Sequence, residues 1–405
     1  MGDKQRMKEF NPKHFVDIQV KKIREIIGRE KALIAVSGGV DSSTCAVLTH
    51  IAIGENLICV ILDDAFMRKG EPEKVAETLS KPPLNLPVKI EPVQEKFLSA
   101  LEGLRDAEEK RKAFRRTFYE TLSEIAKREN SRFLVQGTIL ADIIETQGGI
   151  KTQHNVLEQI GINTRELYGF KVVEPLVSLL KWQVREVARY LRIPSDITER
   201  QPFPGPGLSV RVVGEIRRDK LASLKTATEI TEEKLSKYKP SQYFAAIIDN
   251  KEIPHPNVSR IVKKASRILD LDANQVSVKV FADKATGVRD KTRAYGGILA
   301  LKSIGRDGSI IEKDITQLVD LQGTILEENQ DFTRVFYMIA ERETSKPYAV
   351  VIRSVETEDF LTAKVSDLPW KILEETAEAI LEECPDVSEV YYDVTPKPPA
   401  TIEME

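Results

Sequence analysis

The sequence predicts an α/β fold, a doubly wound parallel sheet over residues 1–205, followed by an α+β domain over 206–405. Three observations carry this. Continuous apolar runs of the kind found in buried parallel strands alternate with helical patterns through the first half of the chain. The stretch LIAVSGGVDSSTCAVL, residues 33–48, sets glycines, serines and an aspartate where a strand should feed a helix. PFPGPGL at 202–208 then breaks the pattern, as no helix or strand interior would tolerate it, and short alternating strands follow.

Taken in order, Asn11-Pro12 reads as a helix start, a capping side chain followed by proline in the first turn. Phe15, Ile18, Ile23, Ile26 and Ile27 recur at helical spacing, and Gly28 can end the helix. A strand over 31–36, a helix over 42–53 and a second strand over 56–63 come next. A charged helix from Glu71, a strand at 87–92, helices through 95–129 and a strand at 132–136 continue the alternation. In such a sheet the ligand lies at the carboxyl ends of the strands, where SGGVDS and QGT both sit. After the break, a helical stretch runs to about residue 238, followed by strands at 276–282, 297–303, 334–340 and 348–355. ERETSKP reads as a hairpin connection between the last two. Asp367 is expected to cap a helix begun by Leu368-Pro369 and running to about Cys384, before a final strand at 388–394. The stretches 276–304 and 334–363 have the look of a diverged duplication, which the letters alone do not prove.

The 405 residues are enough for two or three domains with real cores. A net charge of −3 gives no global reason to bind nucleic acid or acidic membranes. No apolar run approaches the length of a membrane span and residues 1–7 are too charged for a signal peptide, so the expected home is the cytoplasm. Cys45, Cys59 and Cys384 form no C-x-x-C pair, which indicates neither a zinc knuckle nor a disulfide framework. KRKAFRR at 110–116 is basic, but Phe114 and Phe118 at i, i+4 favour a half-buried charged helix over a nucleic-acid surface.

Residues 37–42, Ser-Gly-Gly-Val-Asp-Ser, carry the sharpest chemistry. Glycines let the backbone approach a ligand closely and turn its N–H groups inward, and the helix N-terminus that follows favours negative charge. Ser37, Ser42 and Ser43 add hydroxyl donors. Asp41 is the odd member, because a carboxylate among phosphates makes sense chiefly as a Mg²⁺ ligand. Neither G-x-x-x-x-G-K-[ST] nor G-x-G-x-x-G is present. An ordinary serine-capped turn is the alternative; the whole hexapeptide after an apolar strand favours pyrophosphate binding.

SGGVDSS resembles the PP-loop of the ATP pyrophosphatases, which cleave ATP between the α and β phosphates. Within that superfamily, four later stretches are similar to the ATP-pyrophosphatase portion of the GMP synthases: RKGE at 68–71, QGTILADIIETQGGIKTQHN at 136–155, RQPFPGPGLSVRVVGE at 200–215 and KPPATIEME at 397–405. The resemblance runs from about residue 10 to 245 and resumes from about 345 to the end. It implies ATP and Mg²⁺ as cofactors and a two-step reaction. O2 of xanthosine monophosphate (XMP) attacks the α-phosphate of ATP, releasing pyrophosphate, and ammonia then displaces AMP at C2 to give GMP. It further implies that Asp41 and Lys181 are catalytic, with Asp41 also holding the metal. Outside its motif Lys181 would read as a solvated helix lysine. The resemblance places Ser37, Gly38, Gly39, Val40, Asp41, Ser42, Ser43, Gly137, Thr138 and Asp142 around ATP. Arg68, Gln242, Lys397, Ile402 and Glu403 match contacts to the acceptor nucleotide; for the tail, stiff packing is the alternative.

Several positions depart from the family pattern. Asp64-Ala65 replaces a glycine-containing turn, Leu140-Ala141 replaces a pair in which proline is common, Gln153 stands where a second histidine is typical, and Asp290-Lys291 rewrites a Gly-Asp. The loop at 156–170 is longer than its counterpart, and residues 246–345 exceed the compact prokaryotic second domain. His154 reads equally as a nucleotide contact or loop packing. None of the three cysteines has the setting of a glutaminase nucleophile, so ammonia is expected from a separate glutaminase subunit or from free ammonium. The family's second domain implies a homodimer. The alternatives are a paralogous PP-loop ligase with a different nucleotide or small acceptor, an RNA-thiolating enzyme, which the charge and cysteines disfavour, and a silent nucleotide-binding regulator.

Overall fold

A computed structural model describes residues 10–147, 163–289, 292–358 and 361–405. The chain divides into two compact units, Met1–Ala100 with Lys112–Gly205, and Leu101–Arg111 with Pro206–Glu405.

The first unit is built on five parallel strands, β1 (Lys31–Ala35), β2 (Leu57–Asp63), β3 (Val88–Pro92), β4 (Ser131–Val135) and β5 (Lys171–Val173), in the order β3-β2-β1-β4-β5. The winding reverses between β1 and β4, so the loops that leave these two strands lie side by side, and that crevice is where a doubly wound sheet binds its ligand. Helices cover both faces. On one, α1 (Pro12–Ile27) and α2 (Val40–Ile53) pack Val16, Ile23, Cys45 and Leu48 against Ala32, Ile34 and Ile61. Also in this unit are α3 (Glu71–Ser80) and α4 (Gln94–Leu101), the latter ending at the unit's boundary. On the opposite face, α5 (Ala107–Arg128) packs Tyr119, Leu122 and Ile125 against Leu33, Val60 and Leu134. The N-terminal cap of α1 forms as read, with the Asn11 side chain accepting from the His14 N–H at 3.0 Å and Gly28 at the C-terminus. Its buried stripe is shifted from the expected one, however. Val16, Val20, Ile23 and Ile27 face the core, while Ile18 and Ile26 are exposed, because an i, i+4, i+7, i+11 row excludes them. In KRKAFRR, Phe114 is buried and stacks on Phe118, in keeping with a half-buried helix.

The chain continues through α6 (Leu140–Gln147), α7 (Thr164–Tyr168), α8 (Lys181–Tyr190) and α9 (Ser195–Thr198) to the second unit. There a mixed sheet joins β6 (Gln242–Asp249), β7 (Val276–Arg289), β8 (Thr292–Ser303), β9 (Phe332–Glu341), β10 (Tyr348–Glu356), β11 (Lys364–Val365) and β12 (Val387–Asp393). Its helices are α10 (Arg218–Leu235), α11 (Val258–Leu269), α12 (Ile315–Glu328) and α13 (Trp370–Glu383). Three sequence expectations are corrected here. β9 and β10 do not form a hairpin, since β12 lies between them, antiparallel to β9 and parallel to β10. The apparent duplication fails for the same reason, as β7 and β8 pair directly as a hairpin while β9 and β10 do not. Asp367 does not cap α13; Pro369 occupies that position and the helix starts at Trp370.

The last residues of the chain are part of this sheet's architecture. The face formed by Phe244, Ala246, Phe336, Met338, Val351 and Tyr391 is packed by Ile402 and Met404. The outer edge of β7 is covered in part by the same segment, with Thr286 and Val288 donating backbone hydrogen bonds to the carbonyls of Met404 and Pro399. Covering an edge in this way removes a site for unwanted strand pairing.

Candidate active site

The loop 36–39 leaves β1 and enters α2, whose N-cap Gly39 makes no side-chain capping hydrogen bond. The N–H groups of the first turn have no intrahelical partner and lie at the positive end of the helix dipole, which is the arrangement that binds phosphate. The loop is held by its own serines. Ser37 N–H donates to Ser42 Oγ at 3.2 Å, the Ser42 hydroxyl donates to the Gly39 carbonyl at 3.2 Å, and the two serine hydroxyls are 3.2 Å apart. Gly38 has φ +74°, and a Cβ there would meet Val75 Cγ2 at 2.5 Å. Ser43 is placed differently from expectation. It is fully buried, and its hydroxyl has no hydrogen-bond partner among the described residues, so it does not open onto the loop.

The second loop of the crevice, after β4, packs against the first turn of α2. A Cβ on Gly137 would lie 3.0 Å from both Asp41 C and Ser42 N, backbone atoms that cannot yield cheaply. Gly137→Ala is therefore expected to push the loop after β4 away from the start of α2 and to lower kcat/KM for ATP by about 100-fold while leaving the circular dichroism spectrum unchanged. Thr138 is fully buried, and Asp142 Oδ2 accepts from the Ile139 N–H at 3.0 Å, shaping this turn. Leu140 N–H donates to the Leu179 carbonyl at 3.0 Å, tying the turn to the segment that leads into α8. Lys181 is the first residue of α8, and its Nζ donates to Asp41 Oδ2 at 2.6 Å. The two catalytic candidates, 140 residues apart in the chain, are thus in direct contact. The other carboxylate oxygen, Asp41 Oδ1, is buried and has no partner among the described residues. An ionised oxygen left in that state costs at least about 1–3 kcal/mol, which a cation would relieve. The residues present therefore fit a divalent metal, which the Asp41 carboxylate would hold.

Arg68 lies in the turn between β2 and α3, where Asp64-Ala65 stands in place of glycine. Ala65 takes φ +70°, a left-handed conformation that costs a non-glycine residue roughly 1–2 kcal/mol. Asp64 compensates locally, its Oδ1 accepting from the Phe66 N–H at 2.8 Å. Beyond this turn the Arg68 backbone donates to Glu71 Oε2 at 2.9 Å, its guanidinium lies 3.4 Å from Glu71 Oε1, and its Cζ stacks 4.1 Å from the Phe203 ring. Glu71 is also ion-paired with Arg200. Glu71 and Arg200 both lie in motifs read from the sequence, RKGE and RQPFPGPGLSVRVVGE, but neither was expected as a site residue.

The remaining acceptor candidates are on the second unit. Gln242 opens β6, buried opposite Val355, and Lys397 is partly exposed, its backbone paired to Ala363. The side chain of Ile402 belongs to the core, which leaves only its main chain for a ligand. Glu403 forms a two-pronged pair with the buried Arg211, both contacts at 2.9 Å. Two further arginines hold the tail and escaped sequence reading. Arg334 and Arg353, both fully buried, share Asp393 at 2.6 and 3.2 Å. Both donate to the Thr401 carbonyl, at 2.9 and 3.1 Å, and Arg334 also reaches the Glu403 carbonyl. Glu405 is fixed by Lys110 and by the Gly214 N–H at 2.9 Å. Burial pushes the Glu405 carboxyl up to about 7, with Lys110 opposing the rise, and burial pulls Lys110 down. Between the ordinary carboxyl pKa near 4.5 and this value, the folded chain holds the proton that the unfolded chain has lost. Stability from this group is therefore fully present below about 4.5 and declines as pH rises to about 7. Denaturant titrations should show this decline, and Glu405→Gln should flatten it.

The cysteines offer no nucleophile. All three are buried, and burial pushes the thiols up, Cys59 to about 12 and Cys384 to about 11. His154, Gln153 and Asp290-Lys291 lie outside the described residues.

Comparison with known proteins decides the family. Residues 13–266 match the model of the NAD synthase family, and residues 343–404 match that of the GMP synthase C terminal domain. The chain is 44% identical over 396 residues to a glutamine-hydrolyzing GMP synthase subunit of Saccharolobus solfataricus, covering 98% of this chain and 100% of that one. The chain belongs to this family of GMP synthase subunits. The corresponding proteins of Sulfurisphaera tokodaii and Methanopyrus kandleri are 44% and 39% identical, again over 98% of this chain and 100% of theirs. Alignments of this extent take in residues 246–345, so the enlargement of the second unit is a property of these family members. The membership also accounts for two motifs at opposite ends of the chain, the phosphate loop and the tail, that composition alone could not have joined.

Proposed function

We propose that this chain is the synthetase subunit of a two-subunit GMP synthase, acting in the cytoplasm. It adenylates XMP at O2 with release of pyrophosphate and then aminates the adduct with ammonia to give GMP and AMP. The observation that carries this reading is the meeting of Asp41, Lys181 and the capless N-terminus of α2 at the sheet's reversal point, in a chain 44% identical to a glutamine-hydrolyzing GMP synthase subunit.

The chemistry follows from the residues. N–H groups of the α2 first turn and the Ser37 and Ser42 hydroxyls bind the phosphates that leave. Lys181 supplies a fixed cation where negative charge grows on the pyrophosphate. Asp41 would hold Mg²⁺, which when bound supplies Lewis-acid stabilisation of that same charge. Arg68, on the turn after β2, provides a cation for the acceptor's 5′-phosphate, with Gln242, Lys397 and the 402–403 backbone and carboxylate reading the nucleotide. Because none of the three cysteines is poised to act, ammonia comes from a separate glutaminase subunit, in keeping with relatives that are each one subunit of a glutamine-hydrolyzing enzyme. As in the family, a homodimer would form through the second unit.

Incubating the protein with MgATP, ammonium and XMP should yield AMP, pyrophosphate and GMP in equal amounts. ATP cleavage that ignores XMP but responds to another carbonyl acceptor would transfer the reading to a paralogous ligase. Sedimentation should give twice the chain mass, and addition of glutamine should support GMP formation only when a glutaminase subunit is supplied.

A further inference from the structure

Glu71 is a buried carboxylate with two arginines on it, and the two face different parts of the first unit. On one side is Arg68, bound through its backbone N–H at 2.9 Å and its guanidinium at 3.4 Å, with Phe203 stacked on its plane. On the other is Arg200, ion-paired to the same Oε1. The Nη1 of Arg200 is 3.2 Å from the position a Cβ would take on Gly38, so this guanidinium packs directly against the phosphate loop. The Glu71 side chain is 4% exposed, that of Arg68 11% and that of Arg200 27%. One carboxylate thus holds two guanidinium groups beside the loop. A buried charge held by two partners is also geometrically stiff, since moving either arginine disturbs the carboxylate they share.

We propose that Glu71 is a positioning residue that ties the phosphate loop to the acceptor-side arginine, orienting Arg200 on Gly38 and Arg68 in its turn with a single carboxylate. Occupation of one side is then felt at the other, and by linkage the effect is reciprocal. Arg200 acts through its packing on the loop and its charge, and Arg68 through the acceptor, so the proposal rests on the reading of Arg68 given above.

The decisive variants are Glu71→Gln, which keeps the shape and removes the charge, and Arg200→Lys, which keeps the charge and removes the planar fork. Equilibrium binding of MgATP in the absence of acceptor should weaken about 5-fold or more in both, although Glu71 is not part of the loop. In steady state the KM for XMP should rise by a similar factor in Arg200→Lys, a residue packed on the phosphate side. Glu77→Gln, an exposed position on the same helix, should change neither quantity. Unchanged MgATP affinity in Glu71→Gln, or an Arg200→Lys enzyme whose KM for XMP equals that of the wild type, would overturn the proposal. If Glu71→Gln does not fold, Arg200→Lys alone decides. The MgATP measurement needs no acceptor, so a wild-type enzyme indifferent to XMP would remove the functional reading while leaving the anchoring of the phosphate loop tested on its own.

Discussion

Asp41→Ala is expected to abolish pyrophosphate release, lowering kcat by about 10³-fold or more with little change in melting temperature. The side chain does two things. Its Oδ2 holds Lys181 at 2.6 Å at the start of α8, and its buried Oδ1, unpartnered among the described residues, is open to a cation. Alanine removes both, freeing Lys181 and taking away the carboxylate that would hold a metal. Asp41→Asn separates the contributions, since an amide oxygen can still accept from Lys181 but carries no charge. It should retain ATP binding better than alanine while remaining nearly as slow. Rates of pyrophosphate release together with direct ATP-binding titrations would show this split. The folded state should hardly notice, because Asp41 lies at a helix start and its pair with Lys181 is partly solvated.

Arg334→Ala should have the largest effect on stability, about 3–5 kcal/mol, lowering the melting temperature by on the order of 10 °C. Arg334 is fully buried and donates to Asp393, Thr401 O and Oγ1, the Glu403 carbonyl and the Thr286 carbonyl. Its removal takes one buried donor from each of these acceptors, while Arg353 still reaches the Thr401 carbonyl at 3.1 Å and Asp393 at 3.2 Å. The damage should be local as well as global. Residues 401–405 lose the clamp that holds Ile402 and Met404 on the sheet, so hydrogen exchange should rise first at Thr286 and Val288, which donate to this segment. Arg353→Ala should act in the same direction, as Arg353 also donates to the Thr395 carbonyl. Melting by differential scanning calorimetry and exchange at these two amides are the measurements to make.

The parallel-sheet half of the fold was legible because its signals are local. A buried strand reads as an apolar run, Asn11-Pro12 and Gly28 mark the ends of a helix, and the hexapeptide at 37–42 needs only its neighbours to be recognised. What escaped depends on partners far along the chain. The amphipathic stripe of α1 was displaced because Ile18 and Ile26 have the right chemistry but the wrong angle. A hairpin between β9 and β10 was reasonable from the short polar connection, yet β12, some forty residues later, takes the place between them. The site shows the same limit. Asp41 and Lys181 were found through their motifs, whereas Glu71, Arg200, Arg334 and Arg353 show their role only when charge is placed in a buried setting. A faint signal did exist for the last two, since an arginine inside the apolar strands FTRVFYMIAE and YAVVIRSVE needs a buried acid or carbonyl to be tolerated there.

The central claim is that O2 of the acceptor nucleotide attacks the α-phosphate of ATP at the Asp41 site, and an oxygen label follows that atom. With XMP carrying ¹⁸O at O2, ammonium and MgATP, mass spectrometry of the products should find one ¹⁸O in the AMP and none in the pyrophosphate. AMP formed without the label while GMP accumulates, or no AMP formed in the presence of XMP, would contradict the account.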